Sequence, residues 1–239
     1  MKDYLLDLVH HTVDLGCIDL VKIVGTTDST KIVAMAEDQS VVLLGAYYSP
    51  FADFVGTFGM PNLNKLRLLL NLAEYRDNAK ISIKHRDDGE PEALMFANQT
   101  DDFHNSYRFM SSDIVKEMLR TPRLTTDSWH VEFEPSVTAI QRLKMQSQAN
   151  PEQTNFTAKT QKHDLIFQFG DHSTHAGHFV FYNQVDKAMK NSWSWPVAPV
   201  NSILSSSGNK IMRITDGAMQ ITVDSGQAVY NYTLPALTK

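Results

Sequence analysis

Three histidines recur at every third position of the segment DHSTHAGH (171–178), at His172, His175 and His178. Histidine is the commonest metal ligand in proteins, so this spacing raises the hypothesis of a metal site and of a metal-dependent enzyme. In an extended segment, however, residues three apart point to opposite faces, which suits one shared ion poorly. The serine, threonine and glycine residues between the histidines are typical of a turn, so the alternative is a solvent-exposed hairpin tip.

Other sequence signatures of catalysis are absent. The chain contains no glycine-rich phosphate loop, no G-x-S-x-G motif and no H-E-x-x-H motif. The pair His10 and His11 is predicted to lie at the surface rather than to bind a metal. Trp193 and Trp195 could stack on nucleic-acid bases, but Pro196 favours the alternative of an edge or interface strand. We therefore predict a protein that is not an enzyme and that has no cofactor.

The composition is that of a globular protein with one large domain or two domains of about 110 residues. Of its 239 residues, 42 % are hydrophobic, and the net charge is −5. This charge argues against a protein that coats nucleic acid with a basic surface. The single cysteine, Cys17, permits no internal disulfide, and Asp3, Asp7 and Asp14 interrupt the first apolar stretch. We expect a protein without a signal peptide, in a reducing cytoplasm.

Strand patterns dominate the sequence. Residues 129–135 (WHVEFEP) alternate apolar and polar side chains, which is the two-residue period of a half-buried strand. Residues 218–225 and 227–234 do the same and flank Asp224-Ser225-Gly226, which predicts a hairpin. Comparable patterns predict strands at 18–25, 30–36, 40–47, 79–85, 92–97, 105–110, 154–160, 163–169 and 176–182.

Apolar residues at helical spacing predict four helices, at 3–15, 62–75, 135–148 and 199–208. The side chains expected on their buried faces are Leu5, Leu8, Val9 and Thr12; Leu63, Leu66, Leu69, Leu70 and Ala73; Val137, Ile140 and Leu143; and Val200, Ile203, Leu204 and Ser207.

The order of these elements repeats along the chain. In each half, a helix is followed by three strands, a second helix and three more strands. The sequence therefore predicts an α+β protein with two similar domains, at 1–110 and 128–239. Residues 111–127 mix charged and apolar side chains with Pro122, which favours an interdomain connector.

Three segments carry a resemblance to a known family. Residues 57–72 (TFGMPNLNKLRLLLNL) resemble the short strand and following helix of the DNA polymerase sliding clamps. Residues 128–171 resemble the opening of the second clamp domain, and 208–237 resemble its ending, where a tyrosine-containing last strand runs into a short apolar tail. The family includes proliferating cell nuclear antigen and the clamps of T-even-type bacteriophages. The chain starts almost directly with its first helix, which is closer to the phage clamps.

The resemblance implies a ring and its partners. Two clamp domains per chain, each with two helices packed on antiparallel sheets, would assemble head to tail into a homotrimer. Such a ring encircles duplex DNA without sequence preference and tethers the replicative DNA polymerase as a processivity factor. An ATP-driven clamp loader opens it, and no membrane partner is implied. For a phage protein the setting would be the cytoplasm of an infected bacterium.

The resemblance also implies a hole lined by helices with a few cations, since strong phosphate contacts would hinder sliding. The candidates for DNA-facing residues are Lys65, Arg67, Arg142 and Lys144. The first helix departs from the family pattern. It is expected to direct acidic side chains and a histidine away from its apolar face, so a uniformly basic hole is not predicted. These residues are Asp3, Asp7, Asp14 and His11.

Clamps of this kind dock partner peptides in an apolar groove near the connector and the C-terminal tail. The matching residues are Met118, Leu119, Pro122 and Leu124, together with Leu234, Pro235, Ala236 and Leu237. Apolar residues in a charged linker either bind a partner or pack on their own domain, and the second interpretation stays open. Two other functions also stay open: a strand-rich phage tail or baseplate protein, and the metal-dependent enzyme.

Overall fold

The computed structural model describes residues 1–120, 128–171, 173 and 175–237. Contacts divide the chain into two compact units. Unit 1 comprises Met1–Pro122 and Ser225–Tyr230, and unit 2 comprises Arg123–Asp224 and Asn231–Lys239. Both contain helices and antiparallel sheets, which confirms the predicted α+β class. No helix in the described part of the chain is long and apolar enough to cross a membrane.

Unit 1 begins with a helix and a group of four strands. In chain order its elements are α1 (Lys2–His10), β1 (Leu20–Gly25), β2 (Thr30–Met35), β3 (Val42–Tyr47), β4 (Gly56–Pro61), α2 (Leu63–Asn71), β5 (Lys80–His85), β6 (Pro91–Ala97), β7 (His104–Arg108) and α3 (Ser112–Met118). Short, separate 3₁₀ turns at Val13–Leu15 and Ala73–Tyr75 follow α1 and α2.

Unit 2 follows the same plan after one extra strand. Its elements are β8 (Val131–Phe133), α4 (Val137–Ala149), β9 (Asn155–Gln161), β10 (Asp164–Phe169), β11 (Gly177–Tyr182), β12 (Trp193–Pro196), α5 (Val197–Ser205), β13 (Asn209–Thr215), β14 (Ala218–Asp224) and β15 (Ala228–Pro235). The first three residues of β15 belong to unit 1.

The internal repeat is therefore present, with one strand more than the periodicity predicts. In each half, a helix is followed by four strands, a helix and three strands. The additional strands are β4 and β12. Both carry few alternating residues, because Gly56 and Gly59 interrupt β4 and β12 has only four residues. The four predicted helices are present, and their ends differ from the prediction by one to five residues, most at the end of α1, which stops at His10.

The strand order is simple in each unit. In unit 1 the order is β4-β1-β2-β3, the start of β15 lies beside β3, and β5-β6-β7 form a separate sheet. In unit 2 the orders are β11-β10-β9-β12 and β14-β13-β8, with the rest of β15 beside β14. The turn at Ser225 and Gly226, with a positive φ of 85° at the glycine, closes the predicted hairpin.

The buried helix faces largely follow the predicted period. Leu5, Leu8, Val9 and Thr12 are buried, as are four of the five leucines of α2 and the three apolar residues predicted for α5, Val200, Ile203 and Leu204. Ala73 and Ser207 are exposed instead, because α2 and α5 end before them. In α4 the prediction is wrong for Val137, which is 71 % exposed at the first helical position. Ala139 is buried in its place, one turn before Leu143.

Both tryptophans of β12, Trp193 and Trp195, are parts of the fold. Trp195 is fully buried, and its Nε1 donates to the carbonyl of Leu234 at 3.1 Å. Trp193 Nε1 donates to Asp216 Oδ1 at 2.8 Å. β12 is an edge strand of its sheet, which agrees with the second interpretation of this segment. Trp195 is therefore unable to stack on a base without unfolding of its surroundings.

Candidate nucleic-acid interface and partner groove

The exposed face of the unit 1 helices carries charges of both signs. α1 presents Asp3 and His10, and α2 presents Lys65 beside an apolar residue, Leu68, which is 62 % exposed. α2 is held in place by its buried leucines and by the Asn62 cap, whose side chain accepts from the backbone N–H of Lys65 at 3.2 Å. Lys65 thus stands on a rigid first turn and is available to solvent.

Arg67, the second cation of α2, is engaged with the 3₁₀ turn that follows α1 rather than free. Its Nη1 lies 3.1 Å from Asp14 Oδ1, and its Nη2 donates to Asn64 Oδ1 at 2.8 Å. The second Asp14 oxygen lies 3.0 Å from His10 Nδ1. The structure therefore brings a predicted DNA-facing cation together with a predicted acidic residue of the same face.

His11 departs most from the prediction, because it is fully buried rather than at the surface. Its ring stacks on Tyr230 with centroids 4.4 Å apart, and its Nδ1 lies 2.9 Å from the carbonyl oxygen of Asp7. Asp7 is also partly buried, and its carboxylate accepts from the hydroxyls of Tyr230 (2.7 Å) and Ser225 (3.0 Å). Burial acts to raise the pKa of Asp7, but the hydrogen bonds from His11 and Tyr230 outweigh it and lower the pKa.

Unit 2 presents a face of different charge. Arg142 and Lys144 of α4 are both exposed, and they lie on opposite flanks because two positions turn a helix by about 200°. Met145, between them, is 64 % exposed. α5 carries no charged residue. Lys144, predicted to lie near the apolar side, reaches solvent because Ala139 and Leu143 form the buried stripe.

The segment predicted as a connector begins with a helix. α3 has only seven residues, too few for a periodic pattern to be recognised in the sequence. Its Val115 is fully buried against Gly59 of β4, and the backbones of Gly59 and Met110 exchange hydrogen bonds of 2.9 and 2.8 Å. Residues 121–127, including Pro122 and Leu124, lie outside the described residues, and the domain boundaries at 110 and 128 stay predictions.

A lysine inside unit 1 fixes the end of α3. Lys22 of β1 is buried, and its ammonium donates to the carbonyl of Leu119, the residue that caps α3. A cation at a helix C-terminus is stabilised by the carbonyl groups there. Burial lowers the pKa of Lys22, and the charge of Lys116 lowers it further.

α3 forms one wall of a cleft in unit 1. The cleft has a volume of about 530 Å³. Met118, which is 56 % exposed, and Leu119, which is buried, line it together with two methionines that the sequence did not single out, Met35 and Met110. Methionine side chains adapt to differently shaped apolar partners. The rim is acidic and includes Asp19 and Glu37.

The predicted C-terminal docking residues are only partly accessible. Leu234 is fully buried in unit 2, so it is not available to a partner and this prediction is wrong. Pro235 and Leu237 are exposed, and Ala236 is half-buried. The tail is held by backbone N–H groups of Ala236 and Leu237, which donate to Gly217 and Ser194 at 2.9 Å each. Its convergence with the connector stays a prediction.

The histidine cluster gains no support from the structure. His175 and His178 are exposed, and His172 lies outside the described residues. Among the residues that are described, no group of three or more histidine, cysteine or acidic side chains could hold a metal ion.

The contact between Gly59 and α3 gives a stability prediction. A Cβ at Gly59 would lie 2.8 Å from Val115 Cγ2 and 3.0 Å from Met110 Cβ, so Gly59→Ala must displace α3. We expect the free energy of unfolding in urea to fall by about 1–3 kcal/mol. The same change in a Val115→Ala background should be less destabilising, because the clashing methyl group is gone. Equal losses in both backgrounds would contradict this packing.

Comparison with known proteins identifies the fold. No protein-family model matches the chain, and no curated protein matches it. Among solved structures, A. fulgidus PCNA with the C-terminal region of FEN-1 bound has a TM-score of 0.70 at 9 % identity, covering 100 % of this chain and 97 % of that one. PCNA from Thermococcus kodakaraensis has a TM-score of 0.67 at 12 % identity, covering 99 % and 97 %. The chain therefore has the sliding-clamp fold.

Proposed function

We propose that this protein is a sliding clamp that works as a ring of three copies around duplex DNA and tethers a replicative DNA polymerase. The observation that carries the proposal is the likeness to two PCNA structures, which extends over 99–100 % of the chain and so includes both repeats. A processivity factor needs no catalytic residues, and we propose that this chain is not an enzyme. Ring opening would then need an ATP-driven loader supplied by another protein.

Strand order supports a ring. The last strand of the second half, β15, begins beside the third strand of the first half, β3. By the internal repeat, β7 corresponds to β15, because each is the last strand of its half. In the same way β11 corresponds to β3, because each is the third strand after the first helix of its half. Both β7 and β11 lie at the edge of their sheets within the described residues. Pairing β7 of one copy with β11 of the next would repeat the β15–β3 arrangement and propagate head to tail.

The exposed helix faces support weak, non-specific DNA contact. Lys65, Arg142 and Lys144 are exposed, and each offers a flexible or forked cation to a phosphate. A small number of such contacts per copy is compatible with sliding, because each neutralised phosphate adds to the electrostatic affinity and many contacts would hold the protein in place. We propose that these residues face the duplex.

The cleft beside α3 supports peptide docking. It is apolar, lies on a small, well-anchored helix and has an acidic rim. We propose that the polymerase and the loader each insert an apolar side chain there, with basic residues near Asp19 and Glu37. The setting of this activity would be the bacterial cytoplasm in which a phage genome is replicated.

The decisive experiment asks whether binding requires a free DNA end. A closed ring without a loader reaches duplex only by threading over an end, whereas a protein that binds the side of the duplex needs none. Duplex is fixed to beads at one end and is either open or blocked with streptavidin at the other. The protein is added at low salt with a crowding agent, and the retained protein is measured after brief crosslinking.

We expect retention on the open duplex and little or none on the blocked duplex. The control is the blocked duplex after cleavage by a restriction enzyme near the streptavidin, which should restore retention. Equal retention on open and blocked duplex would overturn the proposal, as it would show binding without encirclement.

A further inference from the structure

Asp14 lies in the 3₁₀ turn that follows α1, and it binds two side chains at once. One carboxylate oxygen lies 3.1 Å from Arg67 Nη1, and the other lies 3.0 Å from His10 Nδ1. Arg67 is held from its other side by Asn64, which accepts from Nη2 at 2.8 Å. Both members of the ion pair are partly exposed, with side-chain exposures of 43 % for Arg67 and 32 % for Asp14. The pair is thus at the surface, within reach of solvent ions.

The ion pair between Arg67 and Asp14 reduces the number of cations on α2 that are available to bind a phosphate. The guanidinium of Arg67 uses two of its nitrogens within the protein, and its charge is compensated by Asp14. The neighbouring α1 adds the exposed Asp3. Lys65 is then the remaining exposed cation of α2. In unit 2, by contrast, α4 carries Arg142 and Lys144 with no acidic residue in the helix.

We propose that Asp14 is a negative determinant of DNA affinity: it holds Arg67 against the 3₁₀ turn that follows α1 and withholds it from the phosphates. The inference rests on the proposed clamp function and assigns a role to a residue that weakens contact. Binding is consequently unequal along the chain, with α4 of unit 2 as its main cationic element. A clamp gains from such a residue because a less tightly held ring slides more easily.

The physical reason is competition for one guanidinium. An exposed carboxylate and a DNA phosphate are both good bidentate acceptors for arginine, so the internal acceptor lowers the share of Arg67 that is free for DNA. Removing the charge of the Asp14 carboxylate frees Arg67, and it also abolishes the repulsion between this carboxylate and the DNA phosphates. One added phosphate contact should steepen the dependence of log K on log salt by about 0.9.

The test compares two substitutions of equal charge. Asp14→Asn and Asp28→Asn each remove one negative charge from unit 1, but Asp28 lies in the exposed turn between β1 and β2. Affinity for a short, open-ended, fluorescently labelled duplex is measured by anisotropy over a range of sodium chloride concentrations. All affinities are measured at one pH, about 8, which is above the ordinary pKa of a histidine side chain. Melting temperatures are compared to confirm that each variant is folded.

We expect Asp14→Asn to bind about threefold to tenfold more tightly at low salt, with the steeper salt dependence of one more phosphate contact. Asp28→Asn should bind as the wild type does, and the double variant Asp14→Asn, Arg67→Gln should lose the gain. Equal affinities for Asp14→Asn and Asp28→Asn would overturn the proposal, and so would a gain that persists without Arg67.

The outcome is separable from that of the clamp proposal. If blocking the duplex end leaves wild-type binding unchanged, the clamp function fails. If end dependence holds and Asp14→Asn binds no more tightly than Asp28→Asn, only the role of Asp14 fails.

Discussion

Replacing Ser106 by proline should separate the proposed ring into single chains of 27.0 kDa that remain folded. Phe109 N donates to the Glu92 carbonyl at 2.8 Å, and Asn98 N donates to Phe103 O at 3.2 Å, so odd-numbered residues of β7 face β6. In an antiparallel ladder the alternate residues face the other way, which directs the N–H of Ser106 to the outer edge. Proline there removes the donor needed by a neighbouring copy.

The fold of the single chain should tolerate this change. Proline is accepted on edge strands where the missing N–H faces solvent, and the preceding residue is already extended, as proline requires. Between copies, the lost hydrogen bond and the clash of the ring should weaken association by about 100-fold, which corresponds to about 3 kcal/mol.

Sedimentation velocity at micromolar concentration measures the effect. We expect a mass near three times that of the chain for the wild type and near one chain for Ser106→Pro. Ser106→Ala is the matched control, since it loses the same hydroxyl but keeps the N–H, and it should stay assembled. Far-UV circular dichroism and the melting temperature check that the proline variant is folded. A proline variant that remains trimeric would exclude β7 as the interface strand.

Much of the fold could be predicted because its helices and strands follow from local patterns of apolar and polar residues. The leucines of α2 at positions 63, 66, 69 and 70 share one face through the 3.6-residue period alone, and all four are buried. The hairpin of β14 and β15 follows from two alternating strands around a glycine turn. The repeat of helices and strands needed no tertiary information.

The features that could not be predicted depend on residues far apart in the chain. His11 is buried because it stacks on Tyr230, which is more than 200 positions later in the chain. The sequence around His11 does not predict this contact. Arg67 meets Asp14 across 53 positions, so a cation counted as exposed is in fact compensated. The cleft combines Met35 and Met110 with α3, and each methionine on its own has the pattern of an ordinary strand residue or loop residue. The sequence offers no further signal for this cleft than the 10 methionines among its 239 residues.

Changing Met35 and Met118 together to serine should strongly weaken partner binding without affecting assembly. The two side chains line the same cleft from β2 and from the end of α3, and Met118 is largely exposed. An apolar anchor that inserts between them loses most of its buried contacts when both walls become short and polar. A buried hot-spot contact is worth about 2 kcal/mol or more, so affinity should fall by about 30-fold or more.

Leu119 is unsuitable for this test, since it is buried and accepts the bond from Lys22, so its loss would disturb α3 itself. The matched control is Ile114→Ser, which removes an exposed apolar side chain from the same helix outside the cleft lining. Calorimetry with a peptide of the C-terminal segment of the cognate DNA polymerase provides the affinity, and sedimentation confirms that assembly is intact.

The charge of the rim sharpens the prediction. Asp19 and Glu37 border the cleft, so a peptide with lysine or arginine beside its apolar anchor should bind more tightly than one with glutamate there, and the difference should shrink as salt is added. If the Met35, Met118 double variant binds the polymerase peptide as tightly as Ile114→Ser does, the docking surface lies elsewhere. The tail residues Pro235 and Leu237 would then be the next to test, because they are the other predicted docking residues that are exposed in the described part of the chain.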